Sequence, residues 1–195
     1  MKFIHTSDWH LGHVLYGIDR SEEQADMLDQ MVSIVERYKP DAFLLCGDVF
    51  HNPHPASSVQ TMFTDAVVRI HNAHPDMHII ITAGNHDSAV RHEIFRTPWK
   101  NFNVHMIGNV DHDALHSHII EIPGKGFVIA IPYTHVRNMP SGCRQKLIDM
   151  VVERNTEGLP VVLMDHTTVS GCDFMGHDHI TDYTVGGIDG ITLEE

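Results

Sequence analysis

An apolar run that ends abruptly in glycine and aspartate does most to limit what this chain can fold into: Ala42-Phe43-Leu44-Leu45-Cys46 leads straight into Gly47-Asp48-Val49-Phe50. A continuous run of that length reads as a buried parallel strand, and in open α/β sheets ligand chemistry sits just outside the carboxyl ends of such strands. Two further runs end the same way. Phe3 to Ser7 delivers Asp8-Trp9-His10, and His78 to Ala83 delivers Gly84-Asn85-His86-Asp87. Laid side by side and parallel, the three strands gather Asp8, His10, Asp48, Asn85 and His86 at one sheet edge, a metal site assembled from strand tips.

The intervening segments supply the crossovers. Ser21-Glu22-Glu23-Gln24 has the form of a capping box with acids in the first turn, and Ala25, Leu28, Val32 and Val35 mark one helical face before Pro40. Ser57 or Ser58 is placed to cap a second helix, with Val59, Met62, Phe63, Ala66, Val67 and Ile70 as its stripe. The first ninety residues therefore read β-α-β-α-β, with right-handed crossovers. From Asn103 onward Val104–Ile107, His118–Ile122 and Phe127–Ile131 are short strands between turn residues, expected to form a second, meander-like sheet. A helix from about Arg144 to Asn155 and a strand from Leu159 to Met164 follow, and that strand ends in Asp165-His166, again a ligand at a tip. Beyond Thr167 the sequence is rich in Gly and Asp without periodicity, and 181–195 reads as loop.

Carboxylates, one amide oxygen and imidazoles form a mixed oxygen and nitrogen set that suits Mn2+, Fe2+ or Zn2+ better than thiolate sites do. Two ions about 3.5–4 Å apart can share one carboxylate. Asp48, on the central strand, is the natural bridge, with Asp8 and His10 on the first ion and Asn85 and His166 on the second. His86 points elsewhere than its neighbour Asn85 and reads as a general acid near a scissile phosphate, with Asp87 placed to orient it. His51 and His13, in loops after two ligands, either touch the substrate or are solvated loop residues. Trp9, between two ligands, reads as packing under the loop.

Composition narrows the class. The 195 residues suit one domain, and 42% hydrophobic with 20% charged residues is the balance of a folded globular protein. A net charge of -13 argues against a broadly basic nucleic-acid surface, so any DNA contact must be local or metal-assisted. Cys46, Cys143 and Cys172 have no ligand spacing and fit a reducing compartment, with Cys46 a core residue. No apolar run reaches membrane-span length, and the expected location is cytoplasmic, with no membrane contact.

Asp8-x-His10, Gly47-Asp48 and Gly84-Asn85-His86-Asp87, each after a strand, resemble the signature of the calcineurin-like metallophosphoesterase superfamily. The longer strings Thr6-Ser7-Asp8-Trp9-His10-Leu11-Gly12 and Gly47-Asp48-Val49-Phe50, with Asp165-His166-Thr167-Thr168-Val169-Ser170-Gly171, resemble the family of D-type nuclease subunits of bacterial SbcCD, counterparts of the double-strand-break repair nucleases. That resemblance implies an α/β fold, a four-layer α/β/β/α sandwich with two mixed sheets. It implies two Mn2+ ions and phosphodiesterase action on DNA ends, as a 3'-to-5' double-strand exonuclease and single-strand endonuclease. The partners it implies are an SbcC-type coiled-coil ATPase subunit and a second copy, a homodimer within a heterotetramer. By position Asp8, His10, Asp48, Asn85 and His166 match metal ligands, His86 the catalytic histidine and His51 a substrate-contacting one.

The family completes its site with Gly-His-x-His after a further strand. Gly176-His177-Asp178-His179 follows no strand-like run, and Gly186-Gly187-Ile188-Asp189-Gly190 resembles a family stretch that precedes the motif. Residues 1–195 are therefore expected to be one nuclease domain truncated before its last metal-binding motif, each ion lacking one ligand. Alternatives of the same chemistry are a phosphomonoesterase or a cyclic-nucleotide phosphodiesterase; an inactive partner-binding fragment is the alternative of another class.

Overall fold

The computed structural model describes residues 1–169 and 190–191. In chain order the elements are β1 (Phe3–Thr6), β2 (Val14–Leu15), β3 (Ile18–Asp19), α1 (Ser21–Tyr38), β4 (Ala42–Cys46), α2 (Ser57–Ala73), β5 (His78–Thr82), α3 (Ala89–Trp99), β6 (Val104–Ile107), β7 (Ile119–Ile122), β8 (Gly126–Ile131), α4 (Cys143–Arg154), β9 (Val161–Asp165), β10 (Thr168–Val169) and β11 (Gly190–Ile191). Strands β1, β4, β5 and β6 form a parallel sheet in that order, with Leu44 opposite His5 on one side and Ile80 on the other. A second, mixed sheet has the order β7-β8-β9, antiparallel then parallel.

Alternation along the strands divides the core into three apolar layers. Phe43, Leu45, Ile79 and Ile81 pack against Leu28 and Val35 of α1, Phe63 and Ile70 of α2, and Phe95 and Trp99 of α3. Their strand neighbours Ala42, Leu44, Cys46 and Ile80 face Ile120, Val128 and Met164 of the other sheet. Phe127, Ile129 and Ile131 turn outward onto Cys143, Leu147 and Val151 of α4. Two-residue periodicity thus feeds both faces of each sheet, and four layers α/β/β/α result.

Several sequence expectations change. Val104–Ile107 pairs in parallel with β5 and so extends the first sheet, and the second sheet is mixed, not a meander. Strand periodicity states which residues face a core, not which sheet owns them. Gly190–Ile191, read as loop, pairs with Thr168–Val169. Helix α1 begins without a side-chain cap bond: Asp19 Oδ1 accepts from the Ser21 amide, and Gln24 turns inward. Helix α2 starts after Ala56, likewise without a side-chain cap.

Away from the strand tips, His78 and His105 stack on β5 and β6 with ring planes 6° apart and Nδ1 and Nε2 separated by 3.2 Å. Burial, then the neighbouring His78 and Lys100 charges, push His105 down to about 4, and burial lowers His78 too. The fold holds these rings neutral while the unfolded chain protonates near pH 6.5. Their stabilisation is therefore complete above pH 6.5 and is lost as pH falls toward about 4, by up to about 3 kcal/mol for His105. Urea unfolding at stepped pH should show that loss, and His105→Leu should make the slope shallower. An unchanged slope in the variant would contradict this source.

Candidate metal centre

The ends of the first sheet are built by a relay of backbone bonds that extends its pairing past the last strand residues. The amides of Asp8, His10 and Leu11 donate to the carbonyls of Gly47, Asp48 and Val49 at 3.1, 3.0 and 2.9 Å, and the His51 amide returns to Leu11 at 3.0 Å. The loops after β1 and β4 are thereby locked side by side. Gln24 closes the same turn from α1, accepting from the Gly12 amide and donating to the His10 carbonyl, both at 3.0 Å. Its buried amide does more for the site than a helix cap would.

Asp8, His10 and Asp48 all adopt positive φ, at 56°, 43° and 50°. A non-glycine residue there costs of order 1–2 kcal/mol, and such strain concentrates at functional sites. Two glycines make room. A Cβ on Gly47, itself at φ 78°, would stand 2.2 Å from His166 Nδ1, and one on Gly84 would stand 2.1 Å from Asp48 Oδ1. The Gly-Asp and Gly-Asn-His strings are thus steric requirements of ligands lying on bare backbone.

Asp48 is buried and stands between two groups of donors. Its Oδ1 lies 3.7 Å from His166 Nε2, and its Oδ2 lies 3.6 Å from His10 Nε2; that same His10 nitrogen is 3.8 Å from half-exposed Asp8. His166 Nδ1 donates to the Cys46 carbonyl at 2.9 Å. That bond leaves Nε2 of the neutral ring as a lone pair, 3.1 Å from the amide oxygen of Asn85. A metal-binding histidine normally gives its other N–H to a carbonyl in this way. Converging lone pairs from His166, Asn85 and Asp48 suit a divalent cation. Ligand bonds of about 2.0–2.2 Å put neighbouring donors roughly 3–3.5 Å apart, close to these spacings.

All five sequence-predicted ligands, Asp8, His10, Asp48, Asn85 and His166, therefore meet. Asp8, Asn85 and His166 open onto a cleft of about 380 Å³ that Tyr133 and Asp165 also line. Burial pushes the Asp165 carboxyl up while Arg144, donating at 2.7 Å, opposes it. The stretch Gly176-His177-Asp178-His179 and residues 186–189 lie outside the described residues.

His86 sits beside the centre. Its amide donates to Asp48 Oδ1 and its Nδ1 to the His51 carbonyl, both at 2.9 Å, so the proton on Nδ1 leaves Nε2 for chemistry. His51 is brought in by ring as well as backbone, its centroid 5.7 Å from those of His10 and His86, and His13 lies 4.3 Å from it. Burial lowers His51, and the His13 and His10 charges add to that.

Asp87 is placed otherwise than expected. Its carboxylate accepts from the amides of Gly84, Phe50 and Val49 at 2.9, 2.9 and 3.1 Å, and none of these bonds involves the His86 ring. It supports His86 by clamping the loops after β4 and β5 together. Burial works to raise its carboxyl, but His92, 3.6 Å away and equally buried, and the amides outweigh it and hold it below the ordinary value. Sequence reasoning missed His92, because a lone histidine inside helix α3 carries no spacing signal. Asp87→Ala strands three amides, each costing about 1 kcal/mol or more, so urea unfolding should show a loss of about 3 kcal/mol or more. A loss under about 1 kcal/mol would contradict the clamp. Trp9, as expected, packs in the core, with Nε1 donating to Thr6 Oγ1 at 3.0 Å.

Comparison with known proteins agrees with this geometry. The chain is 27% identical over 203 residues to the D-type subunit of nuclease SbcCD from Rhodobacter capsulatus, covering 88% of this chain and 49% of the relative. It is 32% identical over 131 residues to the protein of the same name from Bacillus subtilis, covering 67% of this chain and 32% of the relative. It thus spans about half or less of the length of these relatives. The profile of the calcineurin-like phosphoesterases matches residues 1–191, and the chain belongs to that family.

Proposed function

We propose that the chain is the nuclease unit of an SbcCD-type complex, a Mn2+-dependent phosphodiesterase that acts on DNA ends as a 3'-to-5' exonuclease and cuts single strands internally. The observation that carries this reading is the placing of Asp48, one carboxylate oxygen toward His10 and Asp8, the other toward His166 and Asn85. When bound there, divalent ions supply Lewis-acid charge to phosphoryl oxygens and lower the pKa of water. Asp48 holds the two halves in register, and the strained backbone at Asp8, His10 and Asp48 fixes the donors before substrate arrives. In its imidazolium form His86, with Nδ1–H held by the His51 carbonyl, gives the proton on Nε2 to the departing oxygen and is left as the neutral ring. The relatives' name, nuclease, supports a nucleic acid as substrate. The partners in this reading are a second copy and a coiled-coil ATPase of SbcC type.

Incubation with end-labelled duplex DNA, bis(p-nitrophenyl) phosphate and p-nitrophenyl phosphate in Mn2+ separates the readings. The diester and the duplex ends should be hydrolysed, and His86→Gln should slow both by about 100-fold or more without weakening Mn2+ binding. Turnover of the monoester alone would overturn the nuclease assignment.

A further inference from the structure

The imidazoles at this edge form a donor group of their own. His10, His51 and His86 each bring a ring nitrogen within 4.8 Å of the other two. No carboxylate belongs to this triad, whereas two of the three donors in the adjacent Asp8, Asp48 and His166 group are carboxylates. Nδ1 of His10 and Nδ1 of His51 are buried with no hydrogen-bond partner among the described residues, a state that buried polar atoms normally avoid. His86 Nδ1 is committed to the His51 carbonyl, and its Nε2 is not.

We propose that His10, His51 and His86 form a separate, inhibitory site for a borderline divalent cation, Zn2+ above all. Neutral imidazole nitrogens favour Zn2+, Cu2+ and Ni2+, while carboxylates favour Mn2+ and Mg2+, so Mn2+ selects the mixed centre, which accepts Zn2+ as well, and only a borderline ion suits the triad. Zn–N bonds of about 2.0–2.1 Å set tetrahedral donors roughly 3.4 Å apart, so the rings need close by only about an ångström or so. His10 is common to both groups, since its Nε2 also faces Asp8 and Asp48. An ion in the triad therefore withdraws His10 from the carboxylate centre and engages the His86 nitrogen needed for proton delivery. The inhibition rests on the phosphodiesterase reading; the binding does not.

Calorimetric titration of Zn2+, and separately of Mn2+, into the metal-free full chain and its variants tests this. His51→Gln and His86→Gln should each weaken Zn2+ at least tenfold and leave Mn2+ binding unchanged. Asp8→Asn should weaken Mn2+ and spare the Zn2+ binding that the histidine variants remove. Co2+ in place of Zn2+ should give the visible bands of a tetrahedral nitrogen site in the wild type and Asp8→Asn, and lose them in His51→Gln. Zn2+ binding that follows Asp8→Asn and ignores both histidine variants, or no Zn2+ binding at all, overturns the proposal. Intact Zn2+ behaviour with no Mn2+ bound in any variant would leave the triad standing and sink the phosphodiesterase reading instead.

Discussion

Asp48→Asn is expected to lower phosphodiester hydrolysis by about 1,000-fold or more and to weaken Mn2+ at both halves of the centre. The substitution removes the negative charge between His10 and His166 while keeping an oxygen that accepts from the His86 amide. Losing about 4 kcal/mol of charge stabilisation corresponds to that rate effect. Because the side chain keeps its shape and its bond, the melting temperature should change little. A variant that retains even a tenth of wild-type rate would remove Asp48 from its bridging role.

Gly84→Ala should cost more stability than any surface change, about 3 kcal/mol or more in urea unfolding. The new Cβ would stand 2.1 Å from Asp48 Oδ1 and 2.2 Å from the Asp48 backbone nitrogen. The amide belongs to a loop pinned by the His10 bond and the Asp87 clamp, so it cannot step aside cheaply. Gly124→Ala is the matching control. Gly124 sits at φ 68° with no described residue within 4 Å of an added Cβ, so left-handed strain of about 1–2 kcal/mol is the cost that applies. Equal losses in the two variants would show that crowding against Asp48 is not what Gly84 relieves.

The strand tips were legible because three apolar runs each end in small residues followed by metal-type donors, a pattern that a parallel sheet converts directly into proximity. His166, far along the chain, was legible for the same reason: β9 lies beside β8, and the Cys46 carbonyl takes up its ring. Helix α3 was not expected. It carries Pro98 near its end and a short, weakly segregated stripe, and its one fully buried residue is polar His92, with Phe95 and Trp99 only partly buried. Asp87 misled because adjacency to His86 suggested partnership, whereas the turn sends its carboxylate to the amides of the loop after β4. Gln24 fits a capping box by spacing, yet the tertiary demand of the His10 loop outcompetes a cap worth about 1 kcal/mol.

A crystal soaked in Mn2+ and measured for anomalous scattering at the manganese edge tests the central claim most directly. Two peaks about 3.5–4 Å apart are expected, one on each side of the Asp48 carboxylate, with Asp8 and His10 on one and Asn85 and His166 on the other. Manganese absent from Asp48, or a single peak held only by His10, His51 and His86, would contradict the shared-carboxylate centre.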